Sequence, residues 1–174
     1  METKQTAKAA APVEIASEPA DSEDAVRCVE AYFRELDARF ERGFDPGGGG
    51  YASGAPQEDG RSSFLIARLD GRAVGCGALR ALDAETGEIK RMWIAPEARG
   101  QGVAWRLLEA LEEEARGFGM ARVRLDTNRA LGEAQALYRK AGYREIARYN
   151  DNLYADFFFE KALVQPGKSS PISR

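Results

Sequence analysis

The pattern of apolar residues along the chain predicts an α+β fold, and three observations carry that reading. Candidate elements follow the order β-α-β-β-β-α-β-α-β-β. Asp70-Gly71 separates two strand-like runs, the signature of a two-residue hairpin between antiparallel strands. Only one strand–helix–strand unit stands near the middle, whereas a doubly wound nucleotide fold needs strands and helices to alternate throughout.

VEIAS (13–17) alternates and reads as a first strand. The next stretch sets Val26, Val29, Phe33, Leu36 and Phe40 at helical spacing, with Asp21 or Ser22 available to cap its start. Residues 43–63 are too dense in glycine and proline for regular structure and read as a surface insertion or a lid over a site. SFLIARL and RAVGCGALRAL form the hairpin, and GEIKRMWIA (87–95) is a third strand ending at Pro96. A helix from Gly102 buries Ala104, Leu107, Leu108, Leu111, Ala115 and Phe118, turns Arg106, Glu109, Glu112 and Glu113 outward, and ends at Gly117 or Gly119. ARVRLDTN (121–128) is a buried strand, EAQALYRKAG (133–142) a short helix, and YREIARY and LYADFFFEKAL a final strand pair. Residues 13–164 are thus expected as a single domain between disordered tails at 1–12 and 165–174.

Composition narrows the chemistry. The net charge of -3 offers no general attraction to nucleic acid. No apolar run approaches the ~20 residues of a membrane span. The N-terminus lacks the apolar core of a secretion signal, and Cys28 and Cys76 read as buried small hydrophobes, so a cytoplasmic location is expected. The chain contains no histidine. That excludes Ser-His and Cys-His nucleophiles and argues against a zinc site. Proton transfer near neutral pH is left to a carboxylate, a tyrosine, a lysine or a relayed water.

One stretch points to a ligand. APEARGQGVAWRLL (95–108) puts an arginine and two glycines directly before an amphipathic helix. A helix N-terminus presents unpaired N–H groups and a partial positive charge. Glycines let an anion approach those groups, and Arg99 adds a fork of donors. A P-loop would need Gly-Lys-Ser/Thr, and a GxGxxG fingerprint fails at Trp105. The stretch therefore reads as a pyrophosphate seat or as a purely structural turn.

Arg99-Gly100-Gln101-Gly102-Val103-Ala104 resembles the R/Q-x-x-G-x-G/A signature of the GNAT superfamily of N-acetyltransferases. The preceding MWIAP, the later LDTN and EAQALYRKAGY resemble further segments of that family, in order and at matching spacing. The resemblance covers about 63–163. It implies a mixed, mostly antiparallel central sheet, flanked by helices, whose central strand pair splays apart to receive acetyl-CoA. It further implies that Met92, Trp93 and Ile94 offer backbone to the pantetheine arm and that Arg99, Gly100, Gln101, Gly102, Val103 and Ala104 hold the pyrophosphate. Asn128 matches a position that touches cofactor or substrate, or else is a turn residue. Arg106 is a phosphate partner or a solvated helix charge.

By the same resemblance Tyr138 protonates the departing thiolate, or is instead a core aromatic. Glu88, directly or through water, deprotonates the amine, or is a strand-start surface residue. Asp126 attracts a cationic amine, or pairs with Arg124. Tyr149 and Asp151, in the polar turn 149–152, contact the acceptor or only make the turn. The expected activity is direct transfer of acetyl from acetyl-CoA to the primary amine of a small molecule, with no metal. A non-catalytic acyl-CoA sensor, and an acetyltransferase acting on a protein N-terminus or lysine, stay open as alternatives. Phe157-Phe158-Phe159 suggests a possible homodimer contact or simple strand burial.

Overall fold

The computed structural model describes residues 12–47 and 60–164. The expected tails, Pro12 apart, and residues 48–59 of the glycine-rich stretch lie outside the described residues. The elements are β1 (Val13–Ser17), α1 (Glu23–Arg39), β2 (Ser62–Leu69), β3 (Arg72–Ala81), β4 (Thr86–Ile94), α2 (Val103–Gly117), β5 (Arg122–Thr127), α3 (Gly132–Lys140), β6 (Arg144–Ile146) and β7 (Phe157–Ala162). Seven strands make one sheet in the order β1-β2-β3-β4-β5-β7-β6. All neighbours run antiparallel except β4 and β5, which meet through the α2 crossover.

Local chemistry explains the boundaries. Ser22 caps α1, its Oγ accepting from the Ala25 N–H at 3.2 Å, and Glu23 and Asp24 in the first turn suit the helix dipole. Asp70 and Gly71 both take positive φ (49° and 75°), which closes the β2–β3 hairpin as a two-residue turn. Alternation along β2 then sorts the core. Leu65 and Ala67 join Leu107, Leu108, Leu111 and Ala115 of α2 on one face. Phe64 and Ile66 join Ala25 and Cys28 of α1 on the other.

Some sequence expectations need correction. Glu112 does not face solvent. It is 3% exposed, accepting from the Tyr143 hydroxyl and from Lys161 Nζ, each at 3.0 Å. The segment after α3 and β7 bring these partners to the outer flank of α2, so a charge that helical spacing puts outside becomes covered and satisfied. The YREIARY strand stops at Ile146, because Arg148 turns back to donate to the carbonyls of Asn152 and Ala155, both at 2.9 Å. Phe158 and Phe159 are buried at 4% and 0%, so of the two readings of the aromatic run, strand burial accounts for two of its rings. Cys28 and Cys76, distant in sequence, meet in the same small core cluster, both as free thiols. Among the described residues no helix is long and apolar enough to cross a membrane.

Candidate active site

The sheet opens at its centre. β4 and β5 pair only through Thr86, Gly87 and Glu88, opposite Arg122, Val123 and Arg124. Beyond that point residues 89–94 of β4 have no strand on their β5 side. A bulge adds to the divergence. Cys76 faces Trp93 and Ala78 faces Lys90, so Arg91 and Met92 together oppose the single Gly77. Arg91 stands at the bulge with φ 54°, rare for a residue with a side chain. Its carbonyl leaves the ladder and accepts from the Cys76 thiol at 3.3 Å.

A cleft of about 710 Å³ runs from this fork to the start of α2. Met92, Trp93 and Ile94 form one wall, Leu131, Ala134 and Leu137 the other, and Tyr138 lies at the inner end. The outer end is main chain. Gly100 and Gly102 take φ 77° and 78°, and a Cβ on either would meet nothing within 4 Å. Gly102 is the N-cap of α2, with no side chain hydrogen-bonded across it. The first N–H groups of α2 therefore face the cleft bare, as an anion seat requires. Arg99 braces this corner, its Nε donating to the Ile94 carbonyl at 3.0 Å and its Nη2 to Glu35 of α1.

A second, smaller cavity of about 50 Å³ meets the cleft at Met92 and Tyr138. Phe40 and Phe44 wall it from the α1 side, and Tyr154 comes from the segment before β7. These rings touch, with Phe44 and Tyr154 centroids 4.9 Å apart. Asp126 supplies its carboxylate, two residues past the last β4–β5 pair. Asn150 Nδ2 donates to Asp126 Oδ2 at 2.6 Å and Asn152 Nδ2 to Oδ1 at 3.2 Å. Each asparagine's own Oδ1 is committed to a backbone N–H, of Asn152 and Tyr154 respectively. Both amides are thus fixed with their donors toward Asp126. Burial pushes Asp126 above the ordinary carboxylate range, against the pull of the two amides and Lys90; the Glu88 charge pushes the same way as burial. Burial, then the Asp126 charge, lifts the Tyr138 hydroxyl well above the usual tyrosine range, so it stays protonated.

Glu88 does not line this cavity. It is 1% exposed and held by Arg80, whose Nε donates to Oε1 at 2.8 Å, with Lys90 Nζ 3.6 Å away. Asn150 Nδ2 also reaches Glu88 Oε2, at 3.4 Å, so one amide joins the two carboxylates. Tyr149 packs edge-on against Phe158, its buried hydroxyl close to Glu88 and its ring outside both cavities. Asp151 is exposed and lines neither cavity. Gln101 points away from the cleft, donating to the Glu97 carbonyl. Asn128 lines the smaller cavity rather than the cleft, and its side chain ties the Tyr154 carbonyl to the Ala130 N–H. Arg124 pairs with Glu160, not Asp126.

Met92, Trp93, Ile94, Arg99, Gly100, Gly102, Val103, Ala104 and Tyr138 thus come together, with Asp126 close by. Sequence reasoning missed Tyr32, Phe40, Phe44, Asn150, Asn152 and Tyr154. The polar run 149–152 was the one visible signal for two of them. Among the described residues no group of three His, Cys, Asp or Glu is placed to hold a metal ion.

Comparison with known proteins fits this geometry. The model of the acetyltransferase (GNAT) family matches residues 26–143. A protein named IAA acetyltransferase from Azospirillum brasilense is 46% identical over 84 residues, which are 47% of this chain and 54% of that protein. The chain thus spans about half the length of the curated relatives it matches. A crystal structure described as a putative acyl-CoA N-acyltransferase from Klebsiella pneumoniae superposes with TM-score 0.69 at 28% identity, covering 87% of this chain and 98% of that one. A GNAT family acetyltransferase from Elizabethkingia anophelis, solved with acetyl-CoA bound, superposes with TM-score 0.59 at 16% identity, covering 87% and 98%.

Proposed function

The chain belongs to the acetyltransferase (GNAT) family, and from that premise we propose that it transfers the acetyl group of acetyl-CoA to the primary amine of a small molecule. The observation that carries this reading is the continuity of the two cavities: a backbone-lined cleft for a long anionic ligand opens, at Met92 and Tyr138, onto a pocket holding a buried carboxylate. The Elizabethkingia protein of the same fold binds acetyl-CoA, which supports the choice of donor.

Acetyl-CoA supplies a thioester, an acyl group activated toward amines. The bare N–H groups at the start of α2 take its diphosphate, and Gly100 and Gly102 allow the approach. Met92, Trp93 and Ile94 offer the unpaired edge of β4 to the pantetheine arm. A main-chain N–H of Trp93 or Ile94 stabilises the oxyanion developing at the carbonyl. Asp126 replaces Glu88 as the proton acceptor in this proposal, because Asp126 lines the pocket and Glu88 lies outside it, ion-paired to Arg80. Glu88 is a positioning residue, acting on Asp126 through Asn150. The ammonium of the acceptor loses one proton to Asp126, and the free amine attacks. Tyr138 donates to the departing sulfur. Its raised pKa makes complete transfer uphill, so its main contribution is a strong hydrogen bond to the developing thiolate. The second proton lost from nitrogen balances the one that sulfur finally carries. Holding both reactants at the fork supplies much of the rate, up to ~7–11 kcal/mol for a well-oriented pair.

The test is free-thiol release from acetyl-CoA across a panel of amines. Amine-dependent release is expected. Tight binding of acetyl-CoA with no release for any amine would favour an acyl-CoA sensor instead.

A further inference from the structure

Arg91 lines the acceptor pocket beside Asp126, and it also lines an adjoining cavity of about 330 Å³ bordered by Arg80 and Glu88. Its neighbours among the arginines are engaged. Arg80 donates to Glu88, Arg99 to Glu35, Arg124 to Glu160 and Arg148 to backbone carbonyls. The half-buried Arg91 guanidinium makes no hydrogen bond or ion pair among the described residues. Its one partner is the Phe33 ring, 5.6 Å from the guanidinium carbon to the ring centroid. Stacking occupies the face of a guanidinium and leaves its in-plane N–H fork unused, and that fork matches a carboxylate. The bulge that opens the β4 edge also puts this residue at φ 54°, so the arginine sits where a glycine would be easier.

We propose that Arg91 recognises a carboxylate on the acceptor, and that the acceptor is an amino acid with an apolar or aromatic side chain. A cavity of about 50 Å³ admits only the acceptor's head group: its ammonium faces Asp126, its carboxylate takes the Arg91 fork, and its side chain lies outward over the partly exposed Phe40, Phe44 and Tyr154 rings. Three charged residues line the pocket; with Lys90 beside Glu88, the Asp126 carboxylate and the Arg91 guanidinium present opposite charges that suit a zwitterion. A polyamine would set a second cation beside Arg91 and Lys90, and a simple amine would leave the guanidinium without an anion. The inference rests on the acetyl-transfer reading of the same site. The chemistry of transfer is unaltered: the N–C bond forms as the C–S bond breaks, one ammonium proton goes to Asp126, a second balances the thiolate, and the carboxylate is untouched.

Matched acceptors test it: leucine with 3-methylbutylamine and phenylalanine with 2-phenylethylamine, each assayed for thiol release by the full-length chain with acetyl-CoA. The amino acid is expected to exceed its decarboxylated partner at least tenfold in kcat/KM, measured with both acceptors in their ammonium form. That ratio is expected to collapse toward one in Arg91→Gln and in Arg91→Gly, the second chosen because glycine accepts the positive φ and preserves the strand. A decarboxylated amine that equals or beats its amino acid would overturn the proposal while leaving amine acetylation standing. So would a ratio that survives both substitutions. Thiol release with neither member of either pair, from protein that releases thiol with another amine, would overturn this inference alone; no release with any amine, from protein that binds acetyl-CoA, would overturn the acetyl-transfer reading and this inference with it.

Discussion

The two ends of the fork are built from different materials. The end proposed for the donor is main chain: bare amides at the start of α2, two left-handed glycines and the unpaired edge of β4. The end proposed for the acceptor is side chain: Asp126, the asparagines that aim at it, and rings from the end of α1 and from the segment before β7. A backbone-built seat depends little on side-chain identity. A side-chain-built end sets which molecule reacts. Substitutions at the two ends should therefore fail differently, one in donor affinity and the other in turnover.

The largest expected effect is at Asp126. Asp126→Asn should lower kcat/KM by about 10²–10⁴-fold, the range for a lost general base, while acetyl-CoA affinity by calorimetry stays within about twofold. A matching loss of affinity would erase the distinction between the ends. Tyr138→Phe comes next, since it removes one hydrogen bond to a developing charge, roughly 1.5–3 kcal/mol. A kcat loss of about 10- to 100-fold is expected, again with affinity intact, and full-speed turnover would remove Tyr138 from the reaction.

At the donor end the expected pattern reverses. Gly102→Ala forces a Cβ into a left-handed residue at a cost of about 1–2 kcal/mol. Calorimetry should show acetyl-CoA affinity falling about tenfold, with the melting temperature a few degrees lower and kcat at saturating donor nearly preserved. A drop in kcat alone would move Gly102 to the acceptor side of the comparison.

The smallest effect is in pH dependence. Asp126 must be ionised to take a proton, so kcat/KM should climb with pH as it ionises. The raised pKa puts that acid limb above the ordinary value of 3.8, and the limb should vanish in Asp126→Asn. The same shift sets a stability slope. The folded chain keeps this proton to higher pH than the unfolded chain, so Asp126's contribution is full below 3.8 and is lost as pH rises through the folded value. Wild type should therefore lose stability relative to Asp126→Asn on going from about pH 4 to neutrality, read from melting temperatures of both across that range.

The donor end was legible because its cues are local. Glycines at 100 and 102, Arg99 and the α2 periodicity occupy one stretch, and the Asp70-Gly71 turn fixes the hairpin that leads to it. The acceptor end was not, because its parts come from three separate stretches of sequence, 40–44, 126 and 150–154. Phe40 and Phe44 look like core or loop residues until Tyr154 packs on them. Asn150 and Asn152 read as turn formers, which they also are; only the return of the 147–156 segment over β5 turns their donors toward Asp126. The surroundings of Glu88 were hidden for the same reason. Its position on β4 is right for chemistry, but the neighbouring strand brings Arg80 onto it.

The most direct test of the backbone-built donor end is a crystal structure of this chain with acetyl-CoA. Diphosphate oxygens against the N–H groups that follow Gly102, with the thioester at the Met92–Tyr138 junction and the acetyl group directed at Asp126, are the expected result. A diphosphate held away from the start of α2, or a thioester outside the fork between β4 and β5, would contradict it.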